Sequence, residues 1–249
     1  MTEQVDTKAL KNLLDSAIGA RLKMWINICA RCGLCADTCH YYLANDRDPK
    51  MIPSYKIRLL KEIWRKKGKV DKAFLDKVYY SVYHECTMCK RCTMYCPFGI
   101  DIASMINLLR GLLCSQKMVP ERLAKAIENY QSFGNQMGIS KEEWLETIKW
   151  CEEEASQEIK GLKIPIDRKG AKILYTVNPR EVQFYPQEIM EAAKIFHVAD
   201  EDWTVSSEMG WDNTNLAMFV GDTKTARFIV GNTFQRADEL GVKQVLISE

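Results

Sequence analysis

Apolar residues recur at helical spacing through the first two thirds of the chain. Over residues 6–28, Leu10, Leu14 and Ile18 fall on one stripe, which predicts a single amphipathic helix. The same spacing predicts further helices over residues 54–67, 71–85, 101–113, 120–133 and 140–159. Ser140 and Glu143 can form a capping box at the start of the last of these. Residues 1–160 are therefore predicted to be almost entirely helical.

The pattern changes after a linker with Gly and Pro at residues 161–170. Strands are predicted at "AKILYTV", "DWTVSS" and "KQVLISE", and helices at "PQEIMEAAKIF" and "TKTARFIVGNTFQRADELG". This alternation predicts a small parallel α/β layer over residues 171–249. The chain stops on the last strand, so we expect residue 249 to be the edge of a fragment or of an ordered region. The predicted fold class is mainly α, followed by a partial α/β domain.

Charge is nearly balanced overall and uneven locally. The 249 residues carry a net charge of +2, which gives no global field that would favour nucleic acid as a partner. Residues 47–72 hold ten Lys or Arg against three acids, and residues 142–158 hold seven Glu against one Lys. The basic segment could be a docking surface, but two solvated helix faces would give the same pattern.

Targeting signals are not evident in the chain. No stretch approaches the roughly 18 apolar residues of a membrane span, and the N-terminus has no apolar segment typical of a secretory signal. We therefore expect a cytoplasmic, reducing compartment and no direct membrane span. In that setting the ten cysteines indicate metal or redox chemistry instead of disulfides.

Eight of the cysteines lie in two blocks of equal spacing, "CARCGLCADTCH" at 29–40 and "CTMCKRCTMYCPFG" at 86–99. The spacing C-x2-C-x2-C-x3-C is the bacterial ferredoxin run, in which three cysteines hold one iron–sulfur cubane and the fourth reaches the other. Pro97 completes the motif in the second block, whereas His40 replaces proline in the first. Zinc is the alternative, but structural zinc sites usually take two cysteine pairs separated by a longer loop.

This spacing predicts two [4Fe–4S] clusters with ligands exchanged between the blocks. The predicted ligands are Cys29, Cys32, Cys35 and Cys96 for cluster I, and Cys86, Cys89, Cys92 and Cys39 for cluster II. Because each cluster would join both ends of the intervening helices, metal binding should be coupled to folding. Cys114 and Cys151 are interpreted as core residues. No residue is predicted to be catalytic, and no Gly-rich dinucleotide or Walker loop is present.

The two blocks, the linker and the α/β segment together resemble the heterodisulfide-reductase-like iron–sulfur proteins. Residues 178–230, from "NPREVQF" to "ARFIV", are similar to the K subunit type of the sulfite-reduction-associated Dsr membrane complex and the D subunit type of heterodisulfide reductase. The resemblance implies an α-helical ferredoxin domain over 1–160, a linker over 161–170 and a partial CCG-type domain over 171–249. That family's CCG modules hold a catalytic noncubane cluster. Residues 152–249 contain no cysteine, so this module looks degenerate here.

The resemblance also implies a function. An electron-transfer subunit of this kind would relay electrons between a membrane quinone or cytochrome b-like partner and a disulfide-reducing site. It would be peripheral on the inner face of the cytoplasmic membrane, held by other redox subunits, and its acceptor could be a small disulfide-carrying protein or a heterodisulfide. The alternative is the iron–sulfur subunit of a flavin-linked dehydrogenase of the glycerol-3-phosphate, glycolate or lactate type. A structural metal module without redox function is a third possibility.

Overall fold

A computed structural model describes residues 5–248. Contacts divide these residues into two compact units: the first contains residues 5–121 and 218–222, and the second contains residues 122–217 and 223–248. The predicted domain limits at residues 1 and 249 lie outside the described residues.

The first unit is helical. Its helices are α1 (Thr7–Ala17), α2 (Ala20–Ile28), α3 (Leu34–Asp37), α4 (His40–Ala44), α5 (Pro53–Arg65), α6 (Lys72–Tyr79), α7 (Arg91–Met94) and α8 (Ile102–Ser115). A short 3-10 turn, Pro49–Met51, precedes α5, and a π-helical turn, Tyr80–His84, continues α6. The mostly helical character predicted for the N-terminal part is confirmed.

The single helix predicted over residues 6–28 is wrong, because the chain leaves the helical conformation at Ile18. Gly19 is extended and is the N-cap of α2, which begins at Ala20. Glycine has a low helix propensity, so the break falls where continuation is least favourable. The apolar stripe continues through it, with Leu14, Ile18 and Ile26 all buried.

Helix α8 is the centre of the core of the first unit. Met105, Leu109, Leu112 and Leu113 are fully buried on it, and α1, α5 and α6 pack around them. Asp101 caps α8 by accepting a hydrogen bond from the Ser104 amide at 3.0 Å. Burial of the apolar faces of four helices against one another therefore fixes the positions of the cysteine loops at their ends.

The second unit combines helices with a small parallel sheet, as the alternating pattern predicts. The remaining elements of the chain are α9 (Glu121–Phe133), α10 (Lys141–Glu158), β1 (Ile173–Thr176), α11 (Pro179–Phe184), α12 (Pro186–Val198), β2 (Trp203–Thr204), α13 (Ala217–Val220), α14 (Thr223–Leu240) and β3 (Gln244–Ile247). Residues 218–220 of α13 belong to the first unit, and the others lie in the second apart from Glu121. The strand order is β2-β1-β3, and both pairs are parallel. The predicted capping box of Ser140 and Glu143 is present.

Helices α9 and α10 belong to the compact unit that contains the sheet, although the sequence pattern groups them with the N-terminal helices. Trp144 on α10 stacks on Trp211 at 4.4 Å and donates its indole N–H to the Ser206 carbonyl at 2.8 Å. Ile148 and Cys151 extend the same buried face. The compact units thus divide near residue 121, ahead of the predicted linker at 161–170, because this face completes the core around β1.

A close backbone approach within the first unit depends on Gly221. Its φ is +79°, and a Cβ placed on it would lie 2.4 Å from the Gly111 nitrogen and 2.8 Å from the Asn107 carbonyl oxygen. The absence of a side chain at residue 221 therefore lets residues 218–222 lie directly against α8.

We expect Gly221→Ala to lower the free energy of unfolding by about 3 kcal/mol, because it adds both overpacking and left-handed strain. Chemical denaturation of the reconstituted protein measures this. Gly231→Ala is the matched control, since it sits within α14 with nothing within 4 Å of the added Cβ, and it should stabilise by about 0.5–1 kcal/mol. Equal effects of the two substitutions would contradict the close approach.

Candidate iron–sulfur site

The two cysteine loops adopt the same backbone conformation around their middle cysteine. Arg31 and Gly33 have φ of 55° and 89° on either side of Cys32, and Met88 and Lys90 have φ of 59° and 64° on either side of Cys89. Left-handed residues on both sides of one position wrap a loop tightly and turn its amides to the inside. The equal spacing of the two blocks therefore corresponds to an equal local fold.

The third cysteine of each block lies on the short helix that follows it. Cys35 is on α3 and Cys92 is on α7, and these two helices pack against each other. The packing of α3 on α7 brings two blocks that are 46 residues apart in sequence into contact. Helix α7 also packs against α8, which places the second block on the core of the first unit.

Four cysteines from the two blocks line one cavity: Cys39, Cys86, Cys89 and Cys92. The walls between them are formed by Pro53 and Lys56 of α5 and by Ala103 and Ile106 of α8. These are the same four cysteines that the ferredoxin spacing assigns to cluster II, including Cys39 from the other block. His40 also lines the cavity, so the residue that replaces the motif proline faces the same space.

The remaining cysteines of the first block lie close to one another. Cys35 on α3 packs near the start of α5, where hydrogen bonding by the Ser54 backbone and side chain lowers the pKa of Cys35 while the neighbouring Cys29 and Cys32 raise it. Ser54 is the second residue of α5. Cys96 follows α7 and packs against the core of the first unit, and its place with Cys29, Cys32 and Cys35 stays a prediction.

Burial is the main influence on the thiols of the third cysteines. It raises the pKa of Cys92 to about 12, and nearby thiolates of both blocks act in the same direction. Burial also raises the pKa of Cys35, although the Ser54 hydrogen bonds oppose this. Thiols with raised pKa values must lose protons to become ligands, so ligation of a metal here is coupled to proton release.

The donor set fits an iron–sulfur cluster. Thiolates are soft ligands suited to iron–sulfur clusters, and the cavity collects four of them with an apolar wall from α8. Within residues 5–248, no three His, Cys, Asp or Glu side chains converge closely enough to hold a single metal ion. Cys114 and Cys151 take no part: burial raises the pKa of both, and the Cys151 thiol donates to the Pro186 carbonyl within the core of the second unit.

Two buried cations lie beside the second block. Lys56 is 1% exposed, lines the cysteine cavity and donates to the Glu85 carbonyl at 2.5 Å. Arg110 is 4% exposed and donates to the Cys86 carbonyl at 2.6 Å. Both residues stand out in the sequence as charged positions within apolar patterns. Lys56 lies on the apolar stripe of α5 with Leu60 and Ile63, and Arg110 interrupts an apolar run. Their positions beside the cysteines arise from tertiary packing.

The comparisons with known proteins agree with the geometry. The 4Fe-4S dicluster domain family matches residues 25–100, which include both cysteine blocks. The Hdr-like menaquinol oxidoreductase iron-sulfur subunit 2 of Archaeoglobus fulgidus is 25% identical, and the match covers 99% of this chain and 47% of the relative. This chain is similar to Hdr-like iron–sulfur proteins. The Hdr-like menaquinol oxidoreductase iron-sulfur subunit of Archaeoglobus profundus is 24% identical over 91% of the chain and 44% of the relative.

The similarity of this chain to known proteins is limited in extent. The chain spans about half the length of the curated relatives it matches. No solved structure matches the chain significantly. Within the described residues, none of the helices combines the length and the apolar character that crossing a membrane requires.

The left-handed conformation of Lys90 provides a test of the loop geometry. Lys90→Gly should raise the free energy of unfolding by about 1 kcal/mol, because glycine adopts a positive φ without the steric cost of a Cβ. Anaerobic chemical denaturation measures the change. Lys23→Gly, at an exposed position within α2, should instead lower it by about 1 kcal/mol. A loss of stability in both variants would contradict the wrapped loop.

Proposed function

We propose that this chain is part of an Hdr-like electron-transfer subunit and that its eight block cysteines hold two [4Fe–4S] clusters. Cluster I is held by Cys29, Cys32, Cys35 and Cys96, and cluster II by Cys86, Cys89, Cys92 and Cys39. The observation that carries the proposal is the cavity that collects Cys39 with three cysteines of the other block. Such clusters supply one-electron redox changes.

The exposure of the cysteines supports a relay. Cys32 and Cys89, the middle residues of the two blocks, are exposed, whereas the other block cysteines are half-buried or buried. Each block therefore brings one ligand to the surface, where a partner can approach closely. Because each block has a cysteine that a partner can contact, the protein can accept an electron at one block and donate it at the other.

The partners are proposed from the relatives. Their names describe iron–sulfur subunits of menaquinol oxidoreductases, and we extend this to a membrane cytochrome b-like subunit that exchanges electrons with a quinone pool. At the other end of the relay we propose a disulfide-reducing site, which takes two electrons in single steps. The chain would then be held at the inner face of the membrane by its partner subunits.

A basic groove beside the first block is the proposed docking surface. The groove is lined by Arg58, Lys61 and Arg65 of α5, by Lys66 at the C-cap of that helix, and by Arg31, which directly precedes the exposed Cys32. Its one acid, Glu62, pairs with Lys66 at 2.8 Å. An acidic partner surface would be drawn to this groove over a range of several ångströms and oriented toward Cys32.

The exchange of the fourth cysteine between blocks can be tested by ligand substitution. Cys39→Ser and Cys86→Ser should perturb the same reducible centre, because both side chains line one cavity, and Cys96→Ser should perturb the other. EPR spectra of the reduced variants, with iron and acid-labile sulfide analysis, report which centre changes. Cys114→Ser is the control and should leave both centres intact.

The outcome that would contradict the ligand sets is specific. If Cys39→Ser altered the centre that responds to Cys32→Ser, each block would hold its own cluster and the exchange would be wrong. If no variant altered any reducible centre, the cysteines would not hold redox clusters, and the electron-transfer function would fall with them.

Charge reversal tests the docking surface. Replacing Lys61, Arg65 and Lys66 with Glu should weaken association with the partner subunits at least tenfold at low salt, because these side chains supply most of the groove's positive charge. The measurement is co-purification and binding at several salt concentrations. The control variant replaces the exposed Lys125, Lys149 and Lys160 with Glu, which makes the same charge change elsewhere. Equal weakening by both variants would show a general charge effect and exclude the groove.

A further inference from the structure

Lys56 and Arg110 are the two buried cations in the part of the chain that the structure describes. Both lie beside the second cysteine block, and the first block has no counterpart among those residues. Placing a charged group in the interior costs several kcal/mol unless other charges or dipoles compensate it. A pair of such groups at one place therefore requires a physical explanation.

Main-chain carbonyls are the hydrogen-bond partners of both cations. Arg110 donates to the Val82 carbonyl through Nε at 3.0 Å and Nη2 at 2.7 Å, to the Cys86 carbonyl at 2.6 Å, and to the Phe219 carbonyl at 2.7 Å. Lys56 donates to the Glu85 carbonyl. Neither forms a salt bridge with a carboxylate among the described residues. Carbonyl dipoles satisfy the N–H groups but leave two full positive charges without a counter-charge.

Nearby groups do not form an ion pair with either cation among the described residues. The Glu85 carboxyl is buried near Lys56, but Lys56 bonds the main-chain carbonyl of Glu85 and one carboxyl oxygen has no hydrogen-bond partner. The Tyr83 ring lies 4.9 Å from the Arg110 guanidinium carbon and contributes only its quadrupole. Arg110 bonds the main-chain carbonyl of Cys86, and Lys56 lines the cavity that contains the Cys86 side chain. The negative charge that faces these cations is therefore that of the cysteine cavity itself.

We propose that Lys56 and Arg110 are the counter-ions of the group held by Cys39, Cys86, Cys89 and Cys92, and that they make it the more readily reduced of the two centres. One-electron reduction adds a negative charge to a site that four thiolates already make anionic. Buried positive charges stabilise that added charge, and net charge is one of the determinants of the potential of such a site. The proposal rests on the proposed function, because it concerns which of the two centres is reduced first.

The first block receives a weaker form of stabilisation from the same helix. Ser54, two residues before Lys56 on α5, gives Cys35 hydrogen bonds from neutral donors. Hydrogen bonds from ionised donors are roughly twice as strong as those from neutral ones. The start of α5 therefore lies beside both blocks: Ser54 presents partial charges to Cys35, and Lys56 places a full positive charge in the cavity of the second block. The first electron should therefore reside on the centre held by the second block.

The test is an EPR-monitored redox titration of the reconstituted protein. Lys56→Gln keeps an N–H donor for the Glu85 carbonyl and removes the charge. We expect the reduction equilibrium constant of the higher-potential centre to fall at least tenfold, which is a shift of about 59 mV for one electron, while the other centre keeps its potential. Lys56→Arg keeps the charge and should retain the original potential. Lys61→Gln, at an exposed position on the same helix, should leave both potentials unchanged.

Ser54→Ala provides the second arm, because it removes only a neutral donor from the first block. Ser54→Ala should make the more negative of the two reduction potentials still more negative, by less than Lys56→Gln shifts the other. If the Lys56→Gln protein takes up iron for only one centre, Ser54→Ala still tests the proposal. A shift of the higher potential in Ser54→Ala would overturn it. Unchanged potentials in Lys56→Gln, with both centres present, would also overturn it. Failure to find reducible centres in the unsubstituted protein would instead refute the proposed electron-transfer function.

Discussion

The guanidinium of Arg110 is the interaction on which the arrangement of the first unit depends. Its five N–H donors are fixed in one plane, and they connect the Val82 carbonyl within the π-helical turn that continues α6, the Cys86 carbonyl of the second block and the Phe219 carbonyl. Phe219 is remote in sequence from the other two. The glycine at 221 allows the third of them to lie against α8 closely enough to be reached. The cysteine loop is therefore held by a charged group that is itself buried.

Under the proposed function, structure and cofactor would stabilise each other. The interior that holds Cys86, Cys89, Cys92 and Cys39 lies beside two buried cations that form no ion pair among the described residues, and it contains thiols whose ligation would release protons. An anionic cluster would neutralise the positive charge, and the deprotonated thiols would be its ligands. Two blocks with one loop conformation, one exposed cysteine each and a shared helix between them would then form the proposed pathway for single electrons.

Much of this could be predicted from the sequence because local rules determine it. Cysteine spacing predicts the loops, and the 3.6-residue period predicts most helices. An apolar stripe does not record a break in the helix that carries it, so the period alone does not reveal the break at Gly19. A stripe also does not say which core it enters, so the pattern groups α10 with the N-terminal helices, whereas Trp144 packs on Trp211. The positions of Lys56 and Arg110 beside the cysteines depend on contacts between distant segments, which periodicity does not contain.

The central claim is that the chain holds two redox-active cubanes, and the most direct measurement is spin quantitation by EPR of the fully reduced protein, together with metal and acid-labile sulfide analysis of the same sample. The account predicts two spins per chain, with iron and sulfide in equal amounts and negligible zinc. Zinc at about two per chain without acid-labile sulfide would contradict it, as would a protein that holds iron but yields no reducible centre.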